Sequence, residues 1–328
     1  MKPLSFGFLV ISLALLAFVI VRYGVSPERV AVHLTPGPTQ PQVSPAEAGI
    51  DTVALAQAVD YAAKRHTRAL LVGRGGHLVF QKYWGDTNLD TVVELSGFTP
   101  ALAAIATGSA INDRLIASID LPAAHYLPSL VPGNASIRDL LSVREGTPEF
   151  EHDVDALARL LEKVTGKDYP QLIAERIWTP LEGGEFALVH RGRDAPVRAD
   201  CCIRARLADW MRIGEVLAND GIFEGNQLTP PHFVKQMLTP SSKESPTGFF
   251  THVDGVFAAH DLARLESRGG NRLWVVPSLR LVILRYGRDP GAAGWDEAMI
   301  PDTIIRGTEG WKPPVVGEGA DPKLFAPH

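Results

Sequence analysis

Residues 96–128 read SGFTPALAAIATGSAINDRLIASIDLPAAHYLP, and the rest of the chain is best understood outward from them. Pro100 suits the first turn of a helix, where its missing N–H has no partner to lose, and Thr99 stands just before it. Small and apolar residues then run without a breaker to about Asn112, which predicts a long helix; Pro122 and Pro128 punctuate the stretch beyond it. Upstream, ALLVGRGGHLVFQKYW (69–84) holds two β-rich runs around Arg74, Gly75 and Gly76, the pattern of a hairpin. Before it, Asp51 is a good N-cap for a helix from Thr52 to about Lys64, with Val53, Leu55, Ala56 and Val59 on one face.

Downstream, SIRDLLS (136–142) and DVDALARLLEKVT (153–165) show helical spacing, the second closed by Gly166. ERIWTPL (175–181) ends another helix at Pro180, and ARLADWMRIGEVLANDG (205–221) reads as an amphipathic helix stopped by Gly221. RLWVVPSLRLVILRYG (272–287) supplies two apolar strands joined at Pro277-Ser278, and WDEAMIPDTIIRG (295–307) a closing helix. Strands at both ends of a helical centre must meet in one sheet, so the expected class is α+β with a helical lobe inserted.

Composition agrees with a folded body. Hydrophobic residues are 45% and charged residues 21% of 328, which excludes disordered, collagen-like and disulfide-scaffold chains. A net charge of -5 leaves no global basic surface, so nucleic acid is not an expected partner. The first residues stand apart. Leu4 to Val21 carry no charge, and about 18 residues at 1.5 Å each span roughly 27 Å, near the thickness of a bilayer core. Residues 1–23 therefore read as a transmembrane anchor, or as a signal peptide; Val21-Arg22-Tyr23-Gly24 makes a poor cleavage site. Residues 24–48, rich in Pro, read as an extended spacer, 49–308 as the folded domain and 309–328 as a tail.

Several segments together resemble the serine β-lactamase and penicillin-binding-protein superfamily, in the branch of class C-related enzymes, esterases and 6-aminohexanoate-oligomer hydrolases. They are LVGRGGHLVFQKYWGD, ALAAIATGSAINDRLIASIDLPAAHYLP, SIRDLLSVREG, LLEKVTGKDYPQLIAERIWTPLEG, CCIRARLADWMRIGEVLANDG and GGNRLWVVPSLRLVILRYG. The resemblance implies a β-lactamase/transpeptidase-like antiparallel sheet flanked by helices. It also implies a Ser nucleophile in S-x-x-K, where positions i and i+3 share a helix face and the amine reaches the hydroxyl.

Here that chemistry is missing. Alignment puts Gly97 at the nucleophile and Pro100 at the lysine, and no S-x-x-K occurs anywhere in the chain. The second motif, Y-x-N or S-x-N, falls at Glu149 and Glu151, in a stretch shorter than relatives carry, so a trimmed helical lobe is expected. The third, K-T-G or H-x-G, is replaced by Glu266-Ser267-Arg268-Gly269-Gly270, while Gly270-Asn271 matches the Gly-Gln that leads into the next strand. The oxyanion-hole amides are expected to persist at Gly97 and near Ser267, leaving a pocket that binds a carbonyl or carboxylate without turnover.

Other residues carry less. Ser96 is an off-register candidate for a nucleophile, against a plain role at the start of the helix. Cys201-Cys202 lacks the C-x-x-C spacing of a zinc or redox motif and reads as two small buried residues. His252, Asp254, His260 and Asp261 form no H-E-x-x-H, and Asp209-Trp210 reads as packing. No metal and no cofactor are implied. The sequence thus predicts an inactive, membrane-anchored relative, its body in the periplasm or outside the cell, binding a peptide, amide or cell-wall fragment or an envelope partner. The alternatives are an active serine hydrolase using a nucleophile such as Ser96 or Ser267, a purely structural anchor, and a secreted form after signal cleavage.

Overall fold

The computed structural model describes residues 29–128, 133–142, 146–190, 196–242, 245–291 and 294–313. The apolar run at 4–21 and most of the tail lie outside the described residues; among those described, no helix is long and apolar enough to cross a membrane. In chain order the strands are β1 (Arg29–Val32), β2 (Thr67–Arg74), β3 (His77–Tyr83), β4 (Val92–Glu94), β5 (Phe186–Val189), β6 (Arg204–Arg206), β7 (Ile222–Phe223), β8 (Asn226–Gln227), β9 (Ala263–Ser267), β10 (Asn271–Val276) and β11 (Leu281–Gly287). The α-helices are α1 (Thr52–Ala63), α2 (Pro100–Asn112), α3 (Ile137–Leu141), α4 (Phe150–Thr165), α5 (Tyr169–Ile173), α6 (Leu207–Ala218), α7 (Pro231–Met237) and α8 (Met299–Arg306).

The main sheet is antiparallel in the order β3-β2-β11-β10-β9, so the N-terminal hairpin joins the C-terminal strands. The join is the β2–β11 ladder, with Leu71 opposite Leu284 and Val72 opposite Ile283. Its strands alternate between two buried faces, as a period of two requires. Leu70, Val72, Trp274, Val276 and Ile283 face Leu55 and Ala58 of α1 and Ile304 of α8. Leu71, Leu273, Val275, Val282 and Leu284 face the cluster that includes Trp210, Met211 and Ile213 of α6. Each fully buried Leu or Ile contributes roughly 1.5–3 kcal/mol, so both faces are strongly held. Helix α6 lies close on the sheet because Gly214 has no side chain: a Cβ there would sit 2.5 Å from Val282 Cγ1.

The helices begin and end where the caps require. Asp51 Oδ1 accepts the Val53 N–H at 2.6 Å, and Gly166 closes α4 at φ 69°. Helix α2 is buried from Pro100 to Ala110, which explains a sequence with no polar stripe. Helix α4 starts three residues earlier than its apolar pattern indicates, so Glu151 and Asp153 lie in its first turn, where the helix dipole favours acids.

The expected spacer is laid against the body over its described part. β1 pairs with β5 in a second antiparallel sheet of order β1-β5-β6-β4. Gly37 N–H donates to Glu182 O at 2.9 Å, Arg212 Nη2 to Pro38 O at 2.6 Å and Gln40 Nε2 to Glu215 Oε2 at 2.5 Å. Backbone groups that a Pro-rich stretch cannot pair within itself are satisfied by the domain instead. β6 also corrects the expected helix start, since Ala205 and Arg206 are extended and pair with β4.

Candidate functional site

Ser96–Phe98 form a single 3-10 turn between β4 and α2. Three contacts pin it. Phe98 is fully buried with its ring edge-on to Trp210, centroids 5.4 Å apart, so Trp210 packs the turn, while Asp209 beside it is paired with Arg206 Nη2 at 2.7 Å. Thr99 is buried, and its Oγ1 accepts the Ile203 N–H at 3.4 Å. Gly97 lies directly on β9: a Cβ built on it would be 1.9 Å from the Glu266 carbonyl oxygen and 3.3 Å from Ser267 Cα. The Gly97 N–H donates to Ser267 Oγ at 3.4 Å. The amide expected to serve an oxyanion hole is therefore taken by the protein's own hydroxyl.

Beside this turn opens a cleft of about 540 Å³. Ser96, Gly97, Glu151 and Ser267 line it, as do Glu94, Arg198, Asp200, Arg268 and both cysteines. The acids are met by arginines. Glu94 Oε2 takes Arg29 Nη2 at 2.7 Å, and Arg198 grips Asp200 with two hydrogen bonds of 3.0 and 2.5 Å while standing 3.4 Å from Glu151. Ser96 Oγ lies 3.4 Å from Glu94 Oε1 and 4.0 Å from Cys202 Sγ. Among the described lining residues there is no lysine, histidine or tyrosine to take a proton from a serine.

The remaining sequence candidates lie elsewhere. Pro100 is buried at the start of α2, and Glu149 is exposed at the N-terminus of α4, outside the cleft lining. Gly269 and Gly270, at φ 78° and 66°, make the turn from β9 to β10. Arg285, fully buried, donates to both their carbonyls at 3.2 and 2.6 Å, and burial draws its guanidinium down to about 10. Asn271 locks the same turn: Nδ2 donates to Arg268 O at 2.5 Å and Oδ1 accepts the Gly287 N–H at 2.8 Å. Asn271→Ala leaves that part-buried N–H without its partner and is expected to lower the unfolding free energy by about 1 kcal/mol in urea titration.

The sequence alone does not single out Glu94, Arg198 and Asp200, because they reach the cleft from distant segments. The one local signal is Arg198-Ala199-Asp200, opposite charges two residues apart that pair with each other. The cysteines correct an expectation outright. They are not two small buried residues but a disulfide, Cys201–Cys202, and both are half-buried in the cleft wall.

Comparison with known proteins agrees with this architecture. The Beta-lactamase family profile matches residues 54–280. A 6-aminohexanoate-dimer hydrolase of Paenarthrobacter ureafaciens is 24% identical over 166 residues, an alignment spanning 46% of this chain and 42% of that protein, less than half of its length. Among solved structures, a Bacillus anthracis protein provisionally designated a 6-aminohexanoate-dimer hydrolase superposes with TM-score 0.68 at 13% identity, covering 89% of this chain and 92% of its own. A penicillin-binding-protein homologue of Caulobacter crescentus gives 0.63 at 11% identity over 78% of this chain and 97% of its own. With the antiparallel sheet, the flanking helices and the matched segment in agreement, this chain belongs to the Beta-lactamase family and carries its serine-hydrolase fold.

Proposed function

We propose that this chain is a non-acylating member of the family, whose cleft binds an amide-, peptide- or cell-wall-like ligand or a peptide of an envelope partner. One observation carries the reading: Gly97 is pressed on the Glu266 carbonyl with no room for a side chain, so the nucleophile is absent and its place is filled by backbone. Pro100 supplies no amine. The cleft keeps what binding needs, a concavity of about 540 Å³ with paired charges and hydroxyls on its walls. The amide substrate named for the Paenarthrobacter relative supports a short amide as ligand class. Residues 4–21 form the membrane anchor in this reading, with the body outside the cytoplasm, where a disulfide such as Cys201–Cys202 persists.

The test is covalent labelling. A fluorescent penicillin and a fluorophosphonate are expected to leave the protein unmodified by intact mass, and stoichiometric labelling overturns the proposal. In parallel, a panel of muropeptides and 6-aminohexanoate oligomers is expected to contain a ligand that raises the melting temperature, since one at a hundred times its Kd adds about 2.7 kcal/mol to stability. The second reading, an active hydrolase, rests on Ser96 lining the cleft next to Glu94. It requires turnover of a p-nitrophenyl ester that Ser96→Ala abolishes.

A further inference from the structure

The cleft wall beside Gly97 carries a group that no acyl-transfer scheme uses. Cys201 and Cys202, adjacent in sequence, are joined through sulfur, half-buried, and open to the cleft. A bridge between neighbours closes no length of chain, so the entropy by which ordinary disulfides stabilise a fold is essentially absent here. What the bridge does hold is local. Cys202 sits at φ 75°, in the left-handed region that side-chain-bearing residues avoid, and Cys201 is its covalent tether there.

Both flanks of that residue are wired to the site. Cys202 O accepts Arg29 Nη1 at 3.2 Å, and the same guanidinium holds Glu94 at 2.7 Å. The next residue, Ile203, donates its N–H to Thr99 Oγ1 at 3.4 Å, directly before Pro100. Cys202 Sγ itself is 4.0 Å from Ser96 Oγ. A change of backbone at Cys202 therefore reaches β1 on one side and the turn that holds Gly97 on the other.

We propose that Cys201–Cys202 is a thiol–disulfide exchange site, attacked by a thiolate that enters the cleft, and that its redox state sets the geometry of the cleft wall. A thiolate RS⁻ attacks one cysteine sulfur, forming an R–S–S–Cys mixed disulfide and releasing the other cysteine as thiolate. A second RS⁻ then attacks the R sulfur, releasing RSSR and the remaining cysteine thiolate, and both cysteines take up protons. The balance is one disulfide plus two RSH giving two Cys thiols plus RSSR. With the tether cut, Cys202 relaxes toward negative φ, which swings its carbonyl from Arg29 and its C-terminal peptide from Thr99. The source of RS⁻ is a small monothiol, for which about 540 Å³ leaves room, or a protein dithiol. The site stands whether or not the cleft turns over an acyl substrate, so labelling by a penicillin tests a separate question.

The full chain, purified without reductant, is incubated with a glutathione redox buffer in one arm and a C-x-x-C oxidoreductase in the other, then alkylated with iodoacetamide and weighed intact. The expected result is no alkylation before treatment and two adducts after it, on protein that retains its folded far- and near-UV circular dichroism. Reduction in the glutathione arm identifies a small thiol as competent; reduction in the oxidoreductase arm alone identifies a protein donor. Amide hydrogen exchange of the reduced form is expected to quicken at least tenfold at Gly97, Ile203 and β1, and a Cys201→Ser/Cys202→Ser variant to match it without reductant. Alkylation of both cysteines before any reductant, reduction in neither arm unless the chain is unfolded, or unchanged exchange at those amides after reduction each overturns the proposal.

Discussion

Gly97→Ser/Pro100→Lys, the double substitution that rewrites the family's nucleophile pair into this sequence, is expected to take up no acyl group and to unfold far more readily than the parent. The first change places a Cβ 1.9 Å from the Glu266 carbonyl oxygen and 3.0 Å from its carbon, atoms of strand backbone that cannot swing aside as a flexible side chain does. Either β9 parts from the 3-10 turn or the turn leaves β9, and the Gly97–Ser267 hydrogen bond is lost with it. Overpacking of this kind costs up to about 3 kcal/mol. The second change replaces a buried proline, suited to the first turn of α2, with an ammonium that has to be desolvated. Chemical denaturation followed by tryptophan fluorescence measures the loss, and intact mass after exposure to a fluorescent penicillin measures acylation. An adduct, or a denaturation midpoint equal to the parent's, would show that the turn has room that the packing denies it.

Glu215→Gln is expected to stabilise the protein strongly above neutral pH and scarcely at all in acid. Glu215 lies on α6 with 5% of its surface exposed, and its Oε1 has no hydrogen-bond partner among the described residues. Burial pushes its carboxyl up from 4.5 to about 7; the Gln40 hydrogen bond, Arg212 and Arg280 pull the other way, and Glu224 adds to the rise. The folded state thus holds a proton that the unfolded chain has already released between those two values. Stability from this group is complete below about pH 4.5 and is lost as pH rises through about 7. At 1.36 kcal/mol for each pH unit between them, the loss is about 3 kcal/mol. Glutamine keeps an oxygen for Gln40 and never ionises. Urea titrations at pH 5 and pH 8 should show the variant gaining by most of that amount only at pH 8, and a gain equal at both pH values would refute the assignment.

Much of the fold was legible because it rests on local spacing. Asp51 as cap, the Gly75-Gly76 turn, Gly166 beyond α4, and the apolar runs of β10 and β11 all act within a few residues of themselves. The short strands were not. β4, β5 and β6 hold three or four residues each, too few for a period to show, and are strands only because β1 and each other supply partners. Residues 29–48 looked like a spacer for the same reason: their hydrogen-bonding groups are answered by Glu182, Arg212 and Glu215, all more than 140 positions away. In the site, the absence of a hydroxyl at Gly97 and of an amine at Pro100 was plain from residue types alone. The charged wall was hidden, since Glu94, Arg198 and Arg268 converge only after the lobe has closed on the sheet.

By itself, then, the order of residues determined the α+β class, the meeting of both chain ends in one sheet, and the absence of any S-x-x-K motif. Those features arise from short-range stereochemistry and from which functional groups the side chains carry. Only the tertiary structure decided that Gly97 is pressed on the Glu266 carbonyl, that Ser267 accepts the Gly97 amide, and that Cys201 and Cys202 are joined in the cleft wall. Contacts of that sort depend on distances of a few ångströms between segments far apart in the chain, and no local pattern encodes them.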